Sequence, residues 1–439
     1  MTTEGADVAV ERALPQPPIQ AAPVPVEIPR APRRFRTLEP LSHRNFSLFW
    51  SGALVSNIGT WLQNVALSWL ILEITDSAFW VSMVTFVQFF PTLLFGLFGG
   101  LLADRGDRRR VLLVTQTTAM GLAFSLAAVT LTGHAHVWTL LPIIGVAGIG
   151  MAFNAPSFQA LIPDLVPPRL VIDAVALNST QFSAARVVGP ALGGLLLAKV
   201  GAGWAFFANA VSFLAVIVAL VFIRAERQAP PTSSGTRALF GGVRHARGTP
   251  AVAALLVTTA IVSLFGAPVI ALLPVMAKKV LGLGAGGFGA LFALFSVGAV
   301  SGALATGTIV RRFGMRATTG GGLAILAVLI AGFGFSTRLA LSAVLLVGIG
   351  ALYTMSVSAT NTGLQTSVPT GKRGRIMSLY MMAWGGLYPV GALMAGIIAT
   401  HLGAPATLRI LALPLAAAAT ALALFGHELS RIVPPRSAR

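Results

Sequence analysis

Arg186 stands in the run ARVVGPALGGLLLA, the single basic residue of the chain that cannot be assigned to the end of an apolar segment. A guanidinium near mid-depth of a bilayer costs at least a few kcal/mol, so a water-filled cavity or a fixed partner must offset it. The Gln63 and Asn64 amides and the Glu73 carboxylate are candidate partners. Facing a pathway, Arg186 would hold the anionic or carbonyl-rich part of a small molecule. A second concentration of charge is GLLADRGDRRR at 100–110, two aspartates and four arginines behind an apolar run, in a chain with 13 acidic residues. Those acids avoid the apolar segments: none lies between Arg227 and His427, and none falls mid-segment in the first half. Movement of protons across a membrane needs a group that changes charge between the two faces, and Glu73 is the least exposed candidate. There is no GxxxxGK[ST] loop for ATP, no cysteine, and no cluster of His and carboxylates, so no catalytic group, metal or cofactor is expected and the chain does not read as an enzyme.

Such residues need elements to carry them. The chain has 439 residues, 55% hydrophobic and 10% charged, with a mean hydropathy of +0.82, whereas soluble domains are about a quarter charged. Apolar runs of about 20 residues recur, the length a helix needs to cross about 30 Å of hydrocarbon. They do not alternate, which excludes a barrel of strands. The runs predict twelve helices, at 46–72, 78–102, 110–132, 138–162, 175–198, 203–223, 251–277, 286–310, 317–337, 340–364, 375–400 and 405–426. The expected class is an all-α integral membrane protein made of two six-helix bundles, 46–223 and 251–426. The segment 1–45, which holds eight of the 26 prolines before residue 41, is expected as a disordered cytoplasmic tail; 224–250 reads as a linker and 427–439 as a second tail.

The net charge of +18 forms no aromatic-interleaved patch, so nucleic acid is not an expected partner. Its sidedness accounts for it: with the N-terminus cytoplasmic, 25 basic residues fall inside and five (Lys199, Lys278, Lys279, Arg338 and Arg409) outside. Both termini are therefore expected in the cytoplasm. Arginine outnumbers lysine 27 to 4, which suggests a GC-rich bacterial genome and the bacterial inner membrane.

The halves resemble each other. Gln159 and Pro163 match Gln365 and Pro369 at an offset of 206, Gly100 and Arg105 match Gly307 and Arg312 at 207, and Gly189 and Gly194 match Gly391 and Gly396 at 202. At the turn after helix 2, Gly100, Asp104, Arg105, Arg108 and Arg109 resemble the signature of the major facilitator superfamily, although Gly106 precedes Asp107 where the family has another residue. The resemblance implies a cytoplasmic gate: Asp104, at a helix end, accepts bonds from a helix N-terminus or an arginine of the facing half. In helix 5, Gly189, Pro190, Gly193 and Gly194 form GPxxGG, which resembles the motif of antiporter members and implies a close, kinked seam. The setting of Arg186 and the start of helix 1, RNFSLFWSGALVSNIGTWLQNVALSWLILE, resemble the drug and siderophore exporter branch, which includes enterobactin exporter-like proteins.

In this superfamily helices 1, 4, 7 and 10 line the path. On helix 1, Asn57, Thr60, Asn64 and Ser68 recur at helical spacing with Gln63 beside them; on helix 10, Thr354, Ser358, Asn361 and Gln365 do likewise. Gln88, with Trp61, Phe86, Phe89, Phe90, Tyr353, Met377, Tyr380, Met381 and Trp384, offers an adaptable wall. The resemblance thus implies a monomeric, proton-coupled exporter, an antiporter of small amphipathic molecules such as drugs, siderophores or secondary metabolites. An importer of the same fold and a non-transporting membrane sensor or scaffold are the alternatives.

Overall fold

The computed structural model describes residues 36–223, Ala246 and 248–431. Most of the expected linker and of both expected tails lies outside the described residues. Inside a bilayer only a helix satisfies every backbone group by itself, and the regular elements described are helical. They are α1 (Arg44–Thr75), α2 (Ala78–Arg105), α3 (Arg108–Leu131), α4 (Val137–Leu161), α5 (Val171–Val200), α6 (Ala202–Phe222), α7 (Pro250–Ile261), α8 (Val269–Val275), α9 (Ala285–Phe335), α10 (Leu339–Ser367), α11 (Thr370–Met381) and α12 (Leu387–Phe425). Short 3-10 turns flank them. One of these, Arg36–Ser42, falls within the expected N-terminal tail and is fastened by Glu39 to Arg169, 3.3 Å away.

Among the described residues, nine segments are long and apolar enough to cross a membrane. Two of them bend back on themselves, because Gly314 and Gly403 adopt φ of +79°, a left-handed conformation open to glycine at no steric penalty. α1 is long but diluted by its Ser, Asn, Gln and Trp residues. Taking each side of both bends, α7 and α8 as one rod, α11 with the start of α12, and α1, the described chain makes twelve traverses.

The seventh and eleventh traverses depart from the unbroken helices expected. Single π-turns interrupt them at Val262–Gly266, Met276–Val280 and Met382–Gly386. A π-turn frees backbone carbonyls, and the Ser263 hydroxyl donates to the freed Trp384 carbonyl at 2.5 Å, which joins the two bulges.

Within the first half, α2 packs on α4, α1 on α5 and α6, and α3 on α6. The halves meet along two seams, α5 with the start of α9 and α2 with the start of α12. Backbones nearly touch there: a Cβ on Gly194 would lie 2.6 Å from Gly289 Cα, and one on Gly396 would strike Ser82. The buried apolar core that crosses between halves draws from the first half on Leu62–Leu72, Val81, Val84, Leu140, Ile144 and Leu197, all remote from the arginine-rich end. A second core, built on Phe46, Phe49, Leu112, Leu161, Leu177 and Phe213, fills the arginine-rich end of the first half alone.

Candidate functional site

The turn between α2 and α3 was expected to gate the halves, and its arginines do something else. Arg108, nearly buried, donates from Nη1 to Asp164 Oδ2 at 2.6 Å and to the Ala160 carbonyl at 3.0 Å, and from Nε to the Ala103 carbonyl at 3.1 Å. Arg109 donates from Nε to the Leu220 carbonyl at 2.5 Å and from Nη2 to the Val221 carbonyl at 2.7 Å, closing the C-terminus of α6 where unpaired carbonyls carry partial negative charge. Both arginines staple the first half internally. Gly100 has no neighbour within 4 Å of its Cβ position; the close crossing belongs to Gly99, against the Ala152 carbonyl of α4. Asp107 caps α3, accepting from the Arg110 amide at 3.2 Å. The backbones of Asp104 and Arg105 end α2, and their side chains lie outside the described residues.

The GPxxGG segment does form a seam. Gly189 abuts Trp61 and the Ile58 carbonyl, a Cβ on Gly193 would lie 3.0 Å from Leu62 Cα, and Gly194 meets Gly289 of the other half. Pro190 is buried in the same face. Three glycines at this spacing bring α5 against α1 on one side and α9 on the other, which a β-carbon would prevent.

One turn before that seam sits Arg186. Its guanidinium carbon is 5.6 Å from the Trp61 ring and 5.6 Å from the Phe295 ring, so one half supplies one aromatic face and the other half the second. The negative faces of aromatic rings attract a cation, more so when water is excluded. Tyr353 and Tyr388 stand within electrostatic range. Phe182 and Phe292 pack on Trp61, Tyr353 on Phe295, and Phe89 on Tyr388. The Arg186 Nε is buried with no hydrogen-bond partner among the described residues. The amides and the carboxylate expected as its partners are engaged elsewhere.

Gln63 accepts from the fully buried Asn209 at 2.8 Å, which corrects its placement in the pathway: it is a bond between α1 and α6. Asn64 and Gln88 pair with each other at 3.0 Å across α1 and α2, while Thr60 and Ser68 return their hydroxyls to carbonyls one turn back. Asn57 is half-buried on α1. On α10, Thr354 has a buried hydroxyl without a partner among the described residues, Ser358 is half-buried, and Asn361 accepts from Gln365 at 2.5 Å. Tyr380 donates to the Val357 carbonyl at 3.1 Å and so belongs to packing rather than to the wall.

Glu73 is exposed and accepts from Trp69 Nε1 at 2.6 Å, with Trp69 stacked on Phe288 at 5.7 Å. It lies at the protein surface, bonded to its own helix rather than to Arg186. Three residues on, Asp76 does what sequence reasoning missed. It ends α1 in a left-handed conformation, φ 48°, and meets Lys279 of the other half at 2.9 Å, with Lys278 at 3.8 Å. Lys279 also donates to the Asp76 carbonyl at 2.7 Å and Lys278 to the Leu72 carbonyl at 3.5 Å, so two ammonium groups cap the negative end of α1. The hydrogen bond from Lys279 lowers the carboxyl pKa of Asp76. Sequence held one signal for this latch: a lone acid just past an apolar run, and a lysine pair just past another.

A groove of about 810 Å³ lies elsewhere, between the traverse after Gly314 and the last one, lined by Gly320, Ala324, Ala412 and Ala416 with Arg316 and Arg409. It does not touch Arg186.

Two helical bundles joined at glycine seams, latched at one end and holding Arg186 between rings of both halves, define a membrane transporter of the major facilitator fold. A bacterial homologue of the lysosomal transporter Spinster, solved facing inward, superimposes with a TM-score of 0.71 at 15% identity over 88% of this chain and 98% of its own. A bacterial homologue of the iron transporter ferroportin, also inward-facing, gives 0.65 at 19% over 88% and 99%. The model of the transmembrane secretion effector family matches residues 35–430, and the chain belongs to that family of major facilitator transporters. Relatives include the staphyloferrin A transporter of Staphylococcus aureus, 24% identical over 83% of this chain and 91% of that protein. The multidrug efflux pump Tap of Mycolicibacterium fortuitum is 26% identical over 83% and 91%, and an enterobactin exporter of Escherichia coli 26% over 77% and 81%. These are transporters, not enzymes.

Proposed function

We propose that this chain is a secondary active exporter that moves small amphipathic molecules out of a bacterial cytoplasm by alternating access, with the arginine-rich end and both termini inside. The single observation that carries this reading is the position of Arg186, held between Trp61 of one half and Phe295 of the other. A ligand bound there would touch both halves, so their relative motion would transfer it from one face to the other. Relatives named for siderophore transport and drug efflux support export, and the GPxxGG seam supports an antiport cycle. Asp104 and Arg105 remain the proposed cytoplasmic gate. Cells that overproduce the protein should clear an amphipathic dye faster than cells carrying Asp104→Asn at equal membrane abundance. Equal clearance, or a reporter fused at Arg227 that is active outside the cell, would overturn the reading.

A further inference from the structure

The charge at Arg186 bears on what the exporter would carry and on what would drive it, an inference that rests on the exporter reading. The observation is an uncompensated charge. Among the described residues no acid accompanies Arg186. Glu73 is at the surface, Asp76 is held by Lys278 and Lys279, Asp164 by Arg108, and Glu39 by Arg169. Asp104 is in the last turn of α2 and Asp107 caps α3. Asp173 precedes Arg186 by thirteen residues on α5, roughly 20 Å at 1.5 Å per residue. The other acids are Glu4, Asp7, Glu11, Glu27, Glu226 and Glu428, before α1 or beyond the sixth and twelfth traverses. The rings that face the guanidinium, Trp61 and Phe295, are neutral. Aromatic faces soften the cost of a cation but leave its charge intact, and the Nε remains a donor without an acceptor.

We infer that the missing countercharge is the cargo's. A carboxylate, sulfonate or similar anion with an apolar body would meet Nε through its oxygens and lay its body along the rings. A cationic compound would meet like charge in a medium of low dielectric and be rejected. The same arithmetic selects a driving force. The loaded site is neutral and the empty site carries one positive charge, so an inside-negative potential draws the empty site back toward the cytoplasm. Each turn moves one negative charge outward, and about 100 mV supports a concentration ratio of roughly 50 for a monoanion. The return leg is empty, so this cycle is a uniport in place of the antiport read from the GPxxGG seam, and no carboxylate at the depth of Arg186 is needed to carry a proton.

The test uses the full-length protein in liposomes at equal pH on both sides, with a potassium diffusion potential set by valinomycin. The probe is 8-anilinonaphthalene-1-sulfonate, an amphipathic anion that stays charged near neutral pH; ethidium is the cationic control and N-phenyl-1-naphthylamine the neutral one. A potential of about 100 mV should speed sulfonate movement toward the positive side at least about fivefold over zero potential, with ethidium unmoved. Arg186→Gln should reduce sulfonate movement to that of empty liposomes. Arg186→Lys, which keeps the charge and loses the planar fork, should retain the potential dependence at about tenfold weaker binding. Ethidium movement driven by a pH gradient, or sulfonate movement indifferent to potential, would overturn the inference and leave the exporter standing. If none of the three probes moves, the exporter reading falls with it.

Discussion

At the turn after its second helix the first half reads Gly106, Asp107, Arg108, Arg109; 207 residues on, the second half reads Phe313, Gly314, Met315, Arg316. Arg109 and Arg316 do the same work: Arg109 donates to the Leu220 and Val221 carbonyls, Arg316 to those of Leu422 and Ala423. Between these carbonyl pairs the offset is 202, the spacing that matches Gly189 with Gly391. The neighbouring position differs. Arg108 forms a buried ion pair with Asp164, whereas Met315, 1% exposed, fills its place with apolar atoms. Both halves therefore need a cation to close their last helix, and only one carries a buried pair. A pair of charges taken from water returns little net stability, and a well-packed methionine serves as well.

A second contrast concerns stiffness. α1 and α5 run unbroken through the first half, while their counterparts in the second carry π-turns joined by Ser263 and Trp384. The second half also has no acid between Arg227 and His427. The buried Arg108–Asp164 pair and the unbroken helices thus sit in the first half, and the adjustable backbone in the second.

Several substitutions would break or sharpen this contrast. Arg108→Ala should be the most damaging, since it removes the buried ion pair to Asp164 and costs about 3–5 kcal/mol. Denaturant unfolding in detergent would register it, and Arg108→Met with Asp164→Leu should recover most of the loss, as the second half already demonstrates with Met315. Gly194→Leu should insert yet hold the halves apart at the α5 seam, reducing dye export by at least about tenfold, because the side chain has no space against Gly289. Ser263→Ala should cost about 1–2 kcal/mol by leaving the Trp384 carbonyl unmatched, with a lower melting temperature and altered transport rate. Asp76→Asn should act least, on an exposed pair. It loosens the latch, visible as faster labelling of a cysteine placed on the second half at that end. Because the folded pKa of Asp76 is depressed, the latch is complete above the ordinary carboxylate pKa of 3.8 and is lost as pH falls below it through the folded value. Labelling rates, divided by those of a freely exposed reference cysteine to remove the thiolate dependence, should therefore be flat between about pH 5 and 8.

Composition and apolar run length alone determined that the chain is a helical membrane protein of twelve traverses, because hydrocarbon admits few backbone solutions and the length of a span is set by bilayer thickness. The repeat and the GPxxGG seam were legible too, since glycine is irreplaceable where backbones touch. Tertiary structure decided which polar residues face each other. Gln63 and Asn64 are adjacent in sequence, yet one bonds to Asn209 of α6 and the other to Gln88 of α2, because successive helical positions point about 100° apart. It also decided that Arg108 staples one half, that Asp76 finds two lysines some 200 residues away, and that Arg186 rests between rings from both halves. Those pairings depend on how bundles dock, and a local pattern of residue types carries no record of what will be brought to it from the other half of the chain.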